Sequence, residues 1–163
     1  MPGFAFARPE PLLLYLVKQV ELAARARLDD IVRTAGLTAL QYTALTVLER
    51  HHDMTSAQLA RNSFVTAQSM ADMISILEKR GLIERRRDVS DRRRLLVALT
   101  PAGRALLDQY REAVAELESN MVAGLSPTEV TELRRGLCSC HANLAAAPAR
   151  RLTPDQEITT SAV

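Results

Sequence analysis

Six arginines fall within ten residues of the chain, as Arg85-Arg86-Arg87 and Arg92-Arg93-Arg94, separated by Asp88-Val89-Ser90-Asp91. From Lys79 to Arg104, nine basic residues stand against three acidic ones. That stretch carries +6 and the rest of the chain −4, within a net charge of +2. Guanidinium groups gathered on one segment of a nearly neutral chain suit a polyanion; the plainer alternative is a solvated face. Just upstream, Thr66-Ala67-Gln68-Ser69 open a helical pattern. Gln can bond adenine through two hydrogen bonds, Thr and Ser can bond several bases, and an Ala or Thr methyl packs on a thymine methyl. Arginines of this reach also enter a narrow, A·T-rich minor groove.

Other chemistries find less support. No nucleophile–base arrangement, glycine-rich phosphate loop or metal-ligand spacing is present, so the chain is not read as an enzyme and no cofactor is expected. Adjacent His51 and His52 suit the negative end of a helix dipole better than a metal, and His141 stands apart. Aromatic residues make up 4% of the chain, with no Trp, which argues against a stacking surface for single-stranded nucleic acid. No apolar run reaches the roughly 18 residues of a membrane span, and Lys18 interrupts the Leu12–Val17 run, so the expectation is a cytoplasmic protein. Cys138 and Cys140 lie two apart on a predicted helix and point to different faces. They are read as buried small hydrophobes, with cross-subunit oxidation as the alternative.

The elements that must position these residues can be read from caps and periodicity. Residues 1–8 form a lead. A long helix runs from Pro9 or Pro11 to Ala35, with Leu13, Leu16, Val17, Val20, Ala24, Leu28, Ile31 and Val32 at helical spacing and Gly36 as its stop. Thr38 with Gln41, and Thr55 with Gln58, are capping boxes opening two further helices. Thr66 caps a third, whose inner stripe is Met70, Met73, Ile74 and Leu77 and whose end is Gly81-Leu82. Two strands, 82–85 and 95–99, flank a turn built on Asp88, Ser90 and Asp91. Three helices followed by a hairpin are a winged helix-turn-helix. Thr100-Pro101 starts a helix to about Ala123, and Ser126-Pro127-Thr128-Glu129 starts the last one. The fold expected is mainly α with a small antiparallel β wing. It divides into an N-terminal dimerisation helix (9–36), a winged helix-turn-helix lobe (37–100), C-terminal dimerisation helices (101–147) and a flexible tail (148–163).

Leu59-Ala60, the run Leu77-Glu78-Lys79-Arg80-Gly81-Leu82-Ile83, and Asp91 and Arg93 followed, after five intervening residues, by Leu99-Thr100 resemble the MarR family of bacterial transcriptional regulators. The resemblance covers roughly residues 10–147. It implies a homodimer with interlocked first and last helices, placing two wings on one face of a pseudo-palindromic double-stranded operator. It further implies a repressor released by a small organic, often aromatic, effector. By motif, Arg93 is the wing arginine of the minor groove and Asp91 orients the wing, while Thr66, Ala67, Gln68 and Ser69 read the major groove. Arg85, Arg86, Arg87, Arg92 and Arg94 complete the DNA-binding set. Tyr15 either lines an effector pocket or fills the subunit interface. Independently of the resemblance, long amphipathic helices at both ends of a small chain carry more apolar face than one lobe can cover, and a symmetric interface would bury it. The alternatives are a winged-helix module that docks a protein partner, or a redox- or metal-responsive regulator.

Overall fold

The computed structural model describes residues 10–63 and 65–146. The lead at 1–8, Pro9 and the tail at 148–163 lie outside the described residues. Two compact bodies divide after Met121.

In the first body, α1 spans Leu13–Val32, starting two residues later than the latest expected position. It tightens into a 3-10 turn, Arg33–Ala35, and Gly36 closes it at φ 63°, donating its N–H to the Arg33 carbonyl. Positive φ is the reason glycine stands there. Helix α2 (Ala39–Arg50) opens on the Thr38–Gln41 capping box, and α3 (Ser56–Asn62) on the Thr55–Gln58 box. Helix α4 (Ala67–Lys79) is capped by Thr66 and buries Met70, Met73, Ile74 and Leu77. Its end is a Schellman closure: the Leu82 N–H reaches the Leu77 carbonyl at 3.0 Å and Gly81, at φ 70°, reaches Glu78 at 2.9 Å.

The wing is larger than the two strands expected. β1 (Met54–Thr55), β2 (Ile83–Arg87) and β3 (Leu95–Leu99) form an antiparallel sheet in the order β1-β3-β2. Met54 pairs with Val97, Ile83 with Leu99 and Arg87 with Leu95. On β3 the residues from Leu96 to Leu99 are all buried, being covered by helices on one side and by both neighbouring strands at the edges. Helix α5 (Pro101–Met121) follows at once and packs on α1, α2 and β3. A Cβ on Gly103 would lie 2.2 Å from the Leu82 carbonyl oxygen, so α5 seats against the α4–β2 junction without clearance.

The core joins α2, α3, α4, the strands and Leu107 of α5, with Val32 from the end of α1. The apolar face of the first half of α1 does not reach it. Leu13 is 76% exposed and Val20 53%, against 0% for Val32. Polar ties hold the end of α1 in place. Arg80 forks onto the carbonyls of Gly36 (2.8 Å) and Ala35, Tyr110 and Thr34 share a hydrogen bond of 2.7 Å, and the Ala39 N–H bonds Asp29 at 2.5 Å.

The second body holds α6 (Pro127–Ala146), opened by the Ser126–Glu129 capping box. The Ser126 amide and hydroxyl hold the Glu129 carboxyl below its ordinary value. No residue of α6 is buried: Leu133, Leu137 and Leu144 are exposed, and so are Cys138 and Cys140, so within a single chain the thiols are not the buried small hydrophobes expected. No helix among the described residues is long and apolar enough to cross a membrane.

Candidate nucleic-acid interface

Three helices and a hairpin bring the two basic runs and the start of α4 to one lobe. Burial of Met70, Met73, Ile74 and Leu77 turns Ala67, Gln68 and Ser69 outward, and all three are exposed with Thr66. The Thr66 hydroxyl is already committed. It accepts from the Ser69 N–H at 3.1 Å and donates to the Ser69 hydroxyl at 2.9 Å. The Thr66 methyl and the Ser69 hydroxyl hydrogen are left uncommitted by these two bonds. Gln68 is also engaged, its Nε2 donating to Asp72 at 3.2 Å.

The wing turn is closed by the Asp88 N–H to the Arg94 carbonyl (3.0 Å) and the Arg94 N–H to the Asp91 carbonyl (2.9 Å). Asp88 accepts from the Ser90 hydroxyl at 2.7 Å and from its N–H at 2.8 Å, contacts that hold its carboxyl below the usual aspartate value. Asp91 accepts the Arg93 N–H at 3.0 Å. Its structural partner is therefore the backbone of Arg93, not a guanidinium. This is an Asx turn that fixes the direction of the Arg93 main chain.

The arginines separate into two sets. Arg85 pairs with Glu78 (3.4 Å) and reaches the Ser75 hydroxyl, while Arg86 is hydrogen-bonded to Asp53, which raises the guanidinium's pKa. Asp53 adopts a left-handed conformation, φ 60°, in making the turn between α2 and β1. Arg87 donates to the Arg92 carbonyl at 3.1 Å, and Arg94 lies 3.6 Å from the Asp88 carboxylate. Arg80, counted in the basic stretch, is spent on the end of α1. The guanidiniums of Arg92 and Arg93, at the tip, have no partner among the described residues. The structure thus brings the expected DNA-binding residues to one lobe, but Arg85 and Arg86 are occupied at its root.

A second feature lies between α1, α2 and α5. An open cleft of about 660 Å³ is walled by Leu14, Val17, Leu28, Leu40, Val114 and Leu117. A ladder of Lys18, Glu21 and Arg25 edges it, and the Lys18 ammonium, 2.9 Å from Glu21, is the main cause of that carboxyl's lowered pKa. Ser63 also lines it, is 3% exposed, and its hydroxyl has no hydrogen-bond partner among the described residues. Tyr15 does not line this cleft. It is 56% exposed, and its hydroxyl accepts from Gln19 at 2.7 Å. Among the described residues no group of three or more His, Cys, Asp or Glu side chains is arranged to hold a metal.

The model of the MarR family matches residues 37–95, from the start of α2 to the beginning of β3. The HTH-type transcriptional repressor Rv2887 of Mycobacterium tuberculosis is 31% identical over 123 residues, which are 76% of this chain and 88% of that protein. The chain belongs to the MarR family. Among solved MarR-family and related structures, a probable transcriptional regulator from Pseudomonas aeruginosa superposes with a TM-score of 0.70 at 33% identity, covering 82% of this chain and 99% of that one. The M. tuberculosis MarR-family protein Rv2887, in complex with salicylic acid, gives 0.66 at 30% identity, covering 81% and 98%.

Two features of this MarR-family chain escape a reading of the sequence alone. Asp72 had a signal, since it stands four residues after Gln68 on the same helix face. Ser63 had none: its burial is set by packing around the connection between α3 and α4.

Proposed function

We propose that the protein is a dimeric repressor that reads a pseudo-palindromic double-stranded DNA operator with α4 and the wing, and leaves it when a small organic molecule occupies the α1–α2–α5 cleft. The observation that carries the DNA reading is the bare pair of guanidiniums, Arg92 and Arg93, at the tip of a wing whose root arginines all have partners. A surface for a protein partner would gain little from two unpaired charges, whereas phosphates and a narrow minor groove take them up. In this reading Arg93 enters the minor groove, and Thr66, Ala67, Gln68 and Ser69 face the major groove.

The dimer reading rests on apolar surface that the chain leaves uncovered. Leu13, Leu16, Val17 and Val20 on α1 and Leu133, Leu137 and Leu144 on α6 are all exposed. A two-fold interface covers both sets and sets the two α4 helices about one DNA turn (~34 Å) apart. The effector reading rests on the cleft, whose size falls within the roughly 300–1,000 Å³ of ordinary ligand sites. The buried Ser63 hydroxyl asks for a ligand acceptor there, and the related Rv2887 structure holds salicylic acid.

Selection of bound fragments from genomic DNA, followed by titration at several salt concentrations, tests the reading. Affinity should fall steeply with salt, by a logarithmic slope of about −0.9 per phosphate contact. Salicylate, as the first probe, should weaken binding in the wild type and less in Ser63→Ala. Salt-independent or sequence-independent binding would overturn the proposal.

A further inference from the structure

The buried stripe of α4 fixes which of its residues lie deepest in a groove. With about 3.6 residues per turn, the line opposite Met70, Met73, Ile74 and Leu77 runs through Gln68, Asp72 and Lys79, and all three are exposed. Thr66, Ala67 and Ser69 flank that line rather than forming it. The centre of the recognition face therefore holds a carboxylate, on a surface that the proposed function brings against a polyanion. An acid there is repelled by phosphate, so its place on this face has to be explained by something it recognises.

The Gln68–Asp72 contact says what that is. A carboxylate only accepts hydrogen bonds, so the Gln68 amide must turn its NH2 toward Asp72, as it does at 3.2 Å. The Gln68 Oε1, the second amide N–H and the second carboxylate oxygen of Asp72 take no part in that contact. The Asp72 carboxylate itself offers a base only acceptors and no donor. In the major groove, guanine presents N7 and O6 and thymine presents O4, all acceptors, which the Asp72 carboxylate rejects. Adenine and cytosine each present an amino group. The adenine amino group stands next to N7, an acceptor that opposes a carboxylate, whereas the cytosine N4 amino group has no acceptor beside it in the groove.

We propose that Asp72, held by Gln68, is a specificity-determining residue that selects cytosine at one position of each operator half-site. This rests on the DNA-binding reading given above. The experiment is selection from a randomised double-stranded library with the full-length protein, run in parallel with Asp72→Asn and Asp72→Ala. Both substitutions are on an exposed position that leaves the buried stripe intact. The wild type should enrich a two-fold symmetric sequence with cytosine at a defined position of each half. Both variants should lose that preference by roughly tenfold, the worth of a modest base contact, with Asp72→Asn turning toward adenine. Affinity for random DNA should rise in both, since a negative charge has left the face.

Failure of the two readings is distinguishable. A wild type that enriches no shared sequence overturns the DNA-binding reading and this one with it. A wild type that enriches a clear motif, retained within about twofold by both variants, overturns the role of Asp72 and leaves the repressor standing. Equal gains for specific and random DNA in the variants would also overturn it, because Asp72 would then act as a charge alone.

Discussion

The wing tip and the wing root have similar composition and opposite uses of it. At the root, Arg80, Arg85 and Arg86 are bound to main-chain carbonyls, Glu78 and Asp53, and hold strands and helix ends together. At the tip, an Asx turn at Asp91 and a closed loop at Asp88 present the guanidiniums of Arg92 and Arg93 with no partner among the described residues. Charge counted along the sequence cannot tell these apart. The count of +6 overstates what a polyanion meets, because part of it is neutralised inside the lobe.

The contrast is tested first at Arg93. Arg93→Ala should cost about 1.5–3 kcal/mol of operator affinity, the range for hydrogen bonds to a charged group, with the melting temperature unchanged. Fluorescence anisotropy and thermal denaturation measure the two separately, and an unchanged operator affinity would remove the tip from the interface. The root should respond the other way round. Gly103→Ala places a methyl against the Leu82 carbonyl and should lower stability by about 1–3 kcal/mol, as overpacking does. A variant that melts with the wild type would show that the α5 seat has slack. Arg80→Ala removes the fork on the α1 carbonyls, worth about 1 kcal/mol at an exposed site; its loss should appear in denaturant titration, with little change in affinity for random DNA.

The smallest effect expected is with pH. The Asp88 carboxyl is held lower in the folded chain than in the unfolded one, chiefly by the Ser90 hydroxyl and amide. Its contribution is therefore present above the unfolded value and is lost as pH falls through the lowered one. The Ser90 amide resonance should titrate on the acid side of an ordinary aspartate. A Ser90 signal that does not move across that range would take Asp88 out of the turn.

Local chemistry made much of the fold legible. The caps at Thr38, Thr55, Thr66 and Ser126 and the glycines at 36 and 81 depend on residues within a turn of one another, and each stands where the sequence places it. What depended on distant partners was not legible. Strand β1 is two residues long and exists through its pairing with β3, some 40 positions away. Which arginines are free was settled by Asp53, Glu78 and Gly36, none of them in the basic runs. The expected inner face of α1 was correct in its periodicity, but the Leu13–Val20 half faces away from its own core. The cleft draws its walls from three helices, so Tyr15 could be placed on α1 but not relative to it.

The seat of Gly103 has a mechanical meaning. From Gly103 to Leu117, which borders the cleft, α5 extends about 21 Å at ~1.5 Å per residue. One helix thus joins the wall of the cleft to the point where α4 gives way to β2.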